Sequence, residues 1–341
     1  MGIIGCGSIA RLRHAPEYKT NPHVNLSGFY DPVAGRAKEM SERFGGTVYS
    51  SYQNMLSDKS IDAVSVCTAN ISHAPITIEA LEAGKHVLCE KPMAASVEEA
   101  EKMNEAARET GKFLMIGHNQ RLLAGHIRAR QILNGGELGR IISFRTTFSH
   151  KGPETWSVDK SRETWFFDKK AAIMGAMADP GIHKADLIRW LIGDEIDEVM
   201  AYVTTLDKKN SEGKLIDVDD NAVCLLRSRS GITGTLTASW TNYGHEENST
   251  VLYCAQGVMK IYDNPDFPVQ IIYKNGDCAY FKCGRIQTND RQLPSGVIDH
   301  FVRSIISGTP PEISGEEGLA ALKIIFACME SAKSGKSVKV R

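Results

Sequence analysis

The 341-residue sequence has no surplus of charge of either sign. Its 40 Lys and Arg residues are almost balanced by 41 Asp and Glu residues, and the formal net charge is -1 at pH 7. A chain without excess positive charge attracts neither polyphosphate nor an anionic lipid surface strongly. We therefore expect neither nucleic acid nor a membrane as a partner of this protein.

Long hydrophobic runs are also missing. A membrane-spanning helix needs a run of about 18 or more apolar residues, and the sequence contains none. The N-terminus lacks the basic and apolar regions of a signal peptide, so we expect a cytoplasmic protein. The first predicted strand has almost no residues before Ile3. Either this strand is short, or the chain begins a few residues inside the natural gene product.

The cysteines do not form the pattern of a metal site. Cys6, Cys67 and Cys89 lie in apolar, strand-like segments, where a thiol behaves as a small hydrophobic side chain. Only Cys278 and Cys283 are close together in the sequence, and no second pair or histidine cluster accompanies them. We expect reduced thiols and no metal ion.

Alternating strand and helix patterns fill the chain as far as Gly117, and consecutive strands follow. The chain is long enough for two domains. The alternation predicts a doubly wound parallel sheet, and the consecutive strands predict an α+β domain with a large, mainly antiparallel sheet. The predicted strands of this second part are 141–148, 199–205, 222–227, 232–240, 250–254, 258–262, 269–273 and 279–282.

The first residues carry a glycine pattern that is typical of a dinucleotide-binding turn. An apolar strand runs into Gly5-Cys6-Gly7-Ser8-Ile9-Ala10. Gly5 permits the tight turn, and Gly7 allows a pyrophosphate to approach the backbone. Ala10 is small enough for the following helix to pack on the strand. This pattern favours a Rossmann domain.

A second predicted strand, 24–30, ends at Asp31, near the position of a ribose-binding carboxylate. Such a carboxylate accepts hydrogen bonds from the ribose and repels a 2′-phosphate, so NAD is expected in preference to NADP. Arg36 can reach the same corner, and its positive charge would favour NADP instead. A helix cap or an Asp-Pro turn is the alternative role of Asp31, and both roles can hold together.

Two further strands end in polar residues at the same predicted edge of the sheet. One of them stops at Glu90-Lys91-Pro92, where Pro92 keeps Lys91 extended, so that its ammonium can project into the crevice. A lysine there can polarise a substrate oxygen or exchange a proton with it. The other leads into the loop from Thr68 to His73. Asn70 and His73 either contact a cofactor or serve as a loop turn and a helix start.

The one strong helix of the second part, 180–191, is preceded by Asp179. An N-cap role for Asp179 and the first helical position for Pro180 would explain both residues structurally. His183 follows Asp179 by four positions, so the two side chains are predicted to lie one turn apart. A carboxylate beside an imidazole fixes its tautomer and favours its protonated form, as a general base that accepts an alcohol proton requires.

One face of the predicted second sheet is expected to be too apolar to be left in water. Sheet-to-sheet dimerisation or a higher oligomer would cover it, and the alternative is a cover of the chain's own helices. The apolar residues are Val199, Tyr202, Val223, Leu225, Leu236, Ala238, Val251 and Tyr253.

The sequence resembles the glucose-fructose oxidoreductase / inositol 2-dehydrogenase / rhizopine catabolism (Gfo/Idh/MocA) family along essentially its whole length. The motifs that carry the resemblance are Gly5-Cys6-Gly7-Ser8-Ile9-Ala10, Leu81-Glu82-Ala83-Gly84-Lys85-His86-Val87-Leu88-Cys89-Glu90-Lys91-Pro92, Asp179-Pro180-Gly181-Ile182-His183-Lys184-Ala185-Asp186-Leu187 and Glu316-Glu317-Gly318-Leu319-Ala320-Ala321-Leu322.

The resemblance implies a Rossmann domain in residues 1–120 and an open-sheet substrate and oligomerisation domain in residues 121–341, with the last helix packing back on the first domain. It implies an enzyme that uses NAD or, less favourably, NADP to oxidise or reduce one secondary carbinol of a sugar, glycoside or cyclitol. A homo-oligomer, either a dimer or a tetramer, is also expected.

The resemblance also implies site residues. Catalysis is expected from Lys91, Asp179 and His183. Cofactor contacts are expected from Gly5, Gly7, Ser8, Ile9, Asp31, Arg36, Thr68, Asn70, His73, Glu90, Lys91 and Asn119. Substrate contacts are expected from Lys91, Arg121, His150, Trp165, Asp179 and His183.

The chain departs from the family pattern beside the substrate pocket, at Trp165-Phe166-Phe167, at Met174-Gly175-Ala176-Met177 and at Pro180. A sensor of the same fold, which binds NAD and sugar without turnover, is the alternative to an enzyme. Reduction of an imine or a diol is a lesser possibility. The presence of Lys91, Asp179 and His183 together favours a dehydrogenase, because a sensor needs no proton acceptor beside a lysine.

Overall fold

The computed structural model describes residues 1–288, 292 and 294–341. Its first sheet is parallel, with the strand order β3-β2-β1-β4-β5-β6. The strands are β1 (Gly2–Ile4), β2 (Gly28–Tyr30), β3 (Thr47–Val48), β4 (Ala63–Val66), β5 (His86–Cys89) and β6 (Leu114–Ile116). The strand order reverses between β1 and β4, and the crevice at their carboxyl ends is where such folds bind ligands.

Helices connect these strands. A π-helical segment, Ala10–His14, leads directly into the first of them. The helices are α1 (Ala15–Thr20), α2 (Ala34–Phe44), α3 (Tyr52–Ser57), α4 (His73–Glu82) and α5 (Val97–Thr110). Short 3-10 turns are formed by Asn70–Ser72, Asn119–Leu122, Pro153–Thr155 and Trp165–Phe167.

The predicted strand 24–30 is wrong at its start, since only Gly28–Tyr30 is extended. The neighbouring strand β1 begins at Gly2, which pairs with Gly28. One further bond joins the amide of Ser27 to the carbonyl of Met1. Residues before Ser27 therefore have no partner strand in β1.

The second sheet has nine strands in the order β14-β13-β12-β11-β7-β10-β9-β8-β15. β7 and β10 are parallel, and the other described neighbours are antiparallel. The strands are β7 (Ile141–Ser149), β8 (Ile196–Thr204), β9 (Asn221–Ser228), β10 (Thr233–Ser239), β11 (Glu247–Cys254), β12 (Gly257–Ile261), β13 (Val269–Tyr273), β14 (Cys278–Phe281) and β15 (Val338–Lys339).

Helices cover one face of this sheet and leave the other open. The covering helices include α8 (Ile182–Ile192) and α10 (Gly315–Ser334). The other helices of this part of the chain are α6 (Ala124–Asn134), α7 (Lys169–Ala172) and α9 (Val297–Ser307). In β9, Ala222, Cys224 and Leu226 are buried, whereas Val223 and Leu225 between them are exposed. This alternation places successive side chains on opposite faces of the sheet.

The residues that were predicted to form one apolar face are divided between the two faces of the sheet. Val199, Leu236 and Ala238 are buried on the covered side. The strand register places Tyr202, Val223, Leu225, Val251 and Tyr253 on the open side. The error arises because residues of opposite parity in a strand point in opposite directions, and the register between strands is not visible in the sequence.

The chain ends by returning to the first sheet. Val297 and Phe301 of α9 share a buried cluster with Ile3 and Phe29. α10 lies between the two sheets, where Glu316 pairs with Arg108 of α5 at 3.0 Å and the hydroxyl of Ser331 accepts the amide of β8 residue Ala201 at 3.0 Å. The two sheets fall on either side of residue 120, although the domain boundary there stays a prediction.

Within residues 1–288, 292 and 294–341, no helix combines the length and the hydrophobicity that a bilayer crossing needs.

Candidate active site

The glycine turn after β1 borders a cavity of about 530 Å³ at the carboxyl ends of the parallel strands. Gly5 has a φ of +92°, and a Cβ there would lie 2.6 Å from the backbone of Cys67. Glycine is therefore required at this position. A Cβ on Gly7 would meet no atom within 4 Å, and Gly7 lines the cavity together with Ser8 and Ile9. The turn thus leaves open space beside its backbone, as a pyrophosphate needs.

Asp31 lies at the end of β2, beside this turn. Its Oδ2 accepts the amide of Cys6 and its Oδ1 accepts the amide of Val33, both at 2.8 Å. Asp31 therefore has the turn role that was its alternative, and a carboxylate has further acceptor sites for ribose hydroxyls. Arg36 also lines the cavity, but its Nη2 donates to Asp159 at 2.8 and 3.1 Å.

The loop after β4 is held by side-chain hydrogen bonds. Thr68, Asn70 and His73 all line the cavity. Asn70 donates to the carbonyl of Ala172 at 2.8 Å, and the ring nitrogens of His73 lie 2.7 and 3.0 Å from the carbonyls of Pro92 and Thr68. Burial lowers the pKa of His73. The polar groups of Asn70 and His73 thus fix the cavity wall.

Glu90 lines the cavity and belongs to a buried polar network. His14 joins it through two contacts, with Nε2 2.8 Å from Glu90 and Nδ1 3.0 Å from the hydroxyl of Ser65. Arg13 lies 3.6 Å from the same carboxylate. Burial alone would raise the pKa of Glu90, but the hydrogen bond from His14 and the charge of Arg13 lower it to about 2. Glu90 is therefore ionised at neutral pH.

Lys91 and Asp179 form an ion pair that spans the two halves of the chain. Lys91 Nζ lies 2.7 Å from Asp179 Oδ1. The other oxygen, Oδ2, accepts Nε1 of Trp240 at 3.1 Å and lies 3.3 Å from Nε2 of His150. Burial would raise the pKa of Asp179, but the charge of Lys91 and the bond to His150 outweigh it and lower the pKa below the usual range. The carboxylate therefore orients the three neighbouring side chains of Lys91, Trp240 and His150.

Asp179 is not a helix cap. It lies inside the π-helical turn Met177–Gly181, which also contains Pro180 and leads into α8. The carboxylate of Asp219 accepts two backbone N–H groups at the start of that turn, at 2.8 and 2.7 Å. The predicted N-cap role of Asp179 and the predicted first helical position of Pro180 are wrong, because the helical geometry begins earlier and Asp219, distant in sequence, supplies the acceptor.

His183 lies on α8 and lines the cavity, but within the described part of the chain no hydrogen bond joins it to Asp179. The predicted role of Asp179 in fixing the tautomer of His183 is therefore wrong, because the carboxylate oxygens bind other side chains. The charge of Asp179 still acts to raise the pKa of His183, as predicted. The His183 ring packs against His118 and Phe148, with centroid separations of 6.3 and 5.9 Å. Burial, and then the charge of Lys91, lower the pKa of His183 well below 6.5. The imidazole is neutral at pH 7 and can accept a proton.

Aromatic side chains line the cavity beside these polar groups. His150 and Trp165, the predicted substrate contacts, lie there, and Trp156 and Phe166 join them. The rings of Trp165 and Phe166 stack at 3.8 Å, and Trp156 meets Phe166 edge-on at 4.9 Å. An apolar wall with a few convergent polar groups is typical of small-ligand sites.

Arg121 is not among the described residues that line this cavity. It makes two bonds to Asp186, at 2.8 and 2.6 Å, and one to Glu317 at 2.5 Å. The prediction that Arg121 contacts substrate is wrong, because these carboxylates occupy its guanidinium where α8 meets α10. Asn119 does line the cavity, and it donates to Gln287 at 2.6 Å.

The residues present fit a nicotinamide dinucleotide. The cavity runs from Gly7 and Asp31 to Lys91 and His183, so it joins a glycine turn and the carboxylate at the end of β2 to a cation and a neutral base. The open space at Gly7 is the observation that tests this fit, since a side chain there would fill the place of the pyrophosphate.

Two family models match the sequence. One is described as an oxidoreductase family with an NAD-binding Rossmann fold and matches residues 1–118. The other is the GFO/IDH/MocA C-terminal domain and matches residues 126–260. The chain belongs to the Gfo/Idh/MocA oxidoreductase family. The predicted family and the predicted fold class are confirmed.

Several Gfo/Idh/MocA relatives match this chain from end to end. Myo-inositol 2-dehydrogenase of Thermotoga maritima is 28% identical, over 100% of this chain and 98% of the relative. The scyllo-inositol 2-dehydrogenase (NAD(+)) of Bacillus subtilis is 27% identical, over 99% and 95%. The crystal structure of GenD2 from gentamicin A biosynthesis, in complex with NAD, is similar with a TM-score of 0.84 at 25% identity, over 100% and 95%.

Two contacts of this Gfo/Idh/MocA site were not predicted. Trp240 follows β10 and donates to Asp179; the signal was a tryptophan at the end of a predicted strand. The carbonyl of Trp156 accepts the hydroxyl of Ser8 at 3.2 Å, which ties the second half of the chain to the glycine turn. No sequence pattern indicates that second contact.

Proposed function

We propose that the protein is a dehydrogenase that transfers hydride between NAD and a secondary alcohol or ketone of a sugar, glycoside or cyclitol. The observation that carries this proposal is the Lys91–Asp179 ion pair in the same cavity as the neutral imidazole of His183. The names of the two inositol dehydrogenases above support the substrate class.

In the oxidative direction, a ring nitrogen of His183 accepts the proton of the reacting hydroxyl. Lys91 donates a hydrogen bond from Nζ to the same oxygen and stabilises its developing negative charge. Asp179 holds Lys91 in place, and its charge favours the imidazolium that forms. NAD, when bound, supplies the hydride acceptor.

The residues that line the cavity support the remaining cofactor contacts of the proposal. Gly7, Ser8 and Ile9 would hold the pyrophosphate at the start of the first helix. Asp31 would accept the ribose hydroxyls, and its charge disfavours a 2′-phosphate, so NAD is preferred to NADP.

The test is a spectrophotometric assay of NAD reduction with cyclitols, aldoses and methyl glycosides, and with primary alcohols as controls. We expect reduction with at least one polyol that carries a secondary hydroxyl, and none with the primary alcohols. A protein that binds NADH and sugars by calorimetry, but reduces no NAD across the panel, would contradict the proposal and indicate a sensor.

We also propose that the open face of the second sheet pairs with a second copy of the chain. Tyr202 is 73% exposed, Leu225 55% and Val223 48%, and they lie side by side on β8 and β9. An exposed apolar patch on a sheet face is a typical homodimer surface. The predicted cytoplasmic location stays a prediction.

A further inference from the structure

A second carboxylate, Asp159, lines the same cavity as Asp31. Asp159 lies in the connection between β7 and α7, and it lines the cavity with Asp31 and Arg36. Both of its oxygens accept Nη2 of Arg36, at 2.8 and 3.1 Å. Arg36 belongs to α2, which begins just after Asp31. A residue of the second half of the chain therefore controls a cation at the cofactor-binding end.

Asp31 and Arg36 have opposite preferences for the cofactor. A carboxylate after the second strand favours a ribose with a free 2′-hydroxyl, whereas a nearby arginine accommodates a 2′-phosphate. The chain contains both, so the outcome depends on whether the guanidinium is free. In the structure Arg36 is paired with Asp159, and a 2′-phosphate would meet two carboxylates instead of an unpaired cation.

The connection that carries Asp159 is held at two points. The carbonyl of Trp156 accepts the hydroxyl of Ser8 in the glycine turn at 3.2 Å. Further back, Glu154 forms an ion pair with Lys208. Because both contacts come from residues close to Asp159, the carboxylate is positioned over α2 by the fold and not only by its attraction to Arg36.

We propose that Asp159 is a specificity residue that excludes NADP by occupying Arg36. The inference rests on the proposed function and deepens it by assigning cofactor choice to a residue outside the Rossmann motif. Asp159 acts by withholding the guanidinium of Arg36 from a 2′-phosphate. It does not need to touch the reacting carbon, so its effect is on cofactor binding.

The test is Asp159→Asn, which keeps the shape of the side chain and removes its charge. Dissociation constants for NADH and NADPH are measured by nucleotide fluorescence without sugar. Because a freed arginine can make a charge-assisted bond to the phosphate, we expect the preference for NADPH over NADH to rise at least about tenfold. Glu163→Gln, an exposed carboxylate in the same connection, is the matched control and should leave the ratio unchanged.

The role of Arg36 is isolated by a second pair of variants. In an Arg36→Gln background, Asp159→Asn should no longer raise the preference for NADPH. A ratio that stays within about twofold of the parent in Asp159→Asn, or a gain that persists without Arg36, would overturn the inference while leaving the proposed function intact. A parent protein that binds neither nucleotide would overturn both.

Discussion

Lys91 Nζ and Asp179 Oδ1 lie 2.7 Å apart, although 88 positions separate the two residues in the sequence. Lys91 follows the fifth strand of the parallel sheet, and Asp179 lies in the turn that precedes α8 of the second half. The pair thus joins the two halves of the chain inside the cavity. Among the described residues that line the cavity, it is the only contact between a lysine ammonium and a carboxylate that links the two halves.

The two glycines of the first turn should respond differently to alanine. A Cβ on Gly5 meets the Cys67 backbone, so Gly5→Ala is expected to lower the melting temperature by several degrees. A Cβ on Gly7 meets nothing within 4 Å, so Gly7→Ala should melt like the parent but bind NADH at least about tenfold more weakly. Thermal denaturation and NADH titration check this. A Gly7→Ala protein with parental NADH affinity would contradict the placement of the pyrophosphate.

Glu90→Gln is expected to destabilise the protein at neutral pH more than in acid. The hydrogen bond from His14 and the charge of Arg13 overcome the effect of burial and lower the pKa of Glu90 to about 2. A carboxylate with a lowered pKa stabilises the fold above its unfolded pKa of about 4.3, and this contribution is lost as the pH falls through the folded pKa.

The difference in free energy of unfolding between parent and Glu90→Gln should therefore be on the order of 3 kcal/mol at pH 7 and shrink between about pH 4 and pH 2. Chemical denaturation at several pH values measures it. Glu82→Gln, on an exposed position of α4, is the control and should show no such change. If the difference in free energy of unfolding between the parent and Glu90→Gln grew as the pH fell, the lowered pKa of Glu90 would be contradicted.

The open sheet face should determine the oligomeric state. Leu225→Glu places a charge in the apolar patch beside Tyr202 and is expected to reduce the molar mass measured by light scattering to that of a monomer. Leu206 is 62% exposed but lies beyond the end of β8. The control variant Leu206→Glu should therefore leave the molar mass unchanged. A parent that is monomeric at micromolar concentration would remove the proposal.

The pH profile of oxidation should reflect a neutral His183. Burial and the charge of Lys91 lower its pKa well below 6.5. Protonated imidazole cannot accept the substrate proton, so activity should fall only when the pH drops through this lowered value. The acid limb of kcat/KM for NAD reduction is therefore expected below pH 6.5. A limb centred above pH 7 would contradict the assignment of His183 as the base.

The sequence predicted the parts of the site that depend on local chain geometry. Gly5, Gly7 and Asp31 were found because a strand, a turn and a helix start follow one another within a few residues. Lys91 was found because Pro92 and the end of an apolar strand mark a sheet edge. In each case the residue and the element that positions it are adjacent in the sequence.

Partners that come from distant elements were not predicted. Asp179 looks like a helix cap beside His183, but Lys91 and Trp240 take its oxygens. Arg121 looks like a substrate contact, but the carboxylates of Asp186 and Glu317 take its donors. Such competition between possible partners is decided by tertiary packing, which no local pattern contains.

The central claim is that Lys91 and His183 act on the reacting oxygen, and it is tested most directly by turnover of Lys91→Ala and His183→Ala beside their NADH affinities. We predict that kcat falls by about 10²-fold or more in each variant, because each removes a charge-stabilising or proton-accepting group. The dissociation constant for NADH should change by less than about threefold in both.

Lys102→Ala and His23→Ala, at exposed positions, should behave like the parent. Retention of kcat within a few-fold in both Lys91→Ala and His183→Ala would contradict the account.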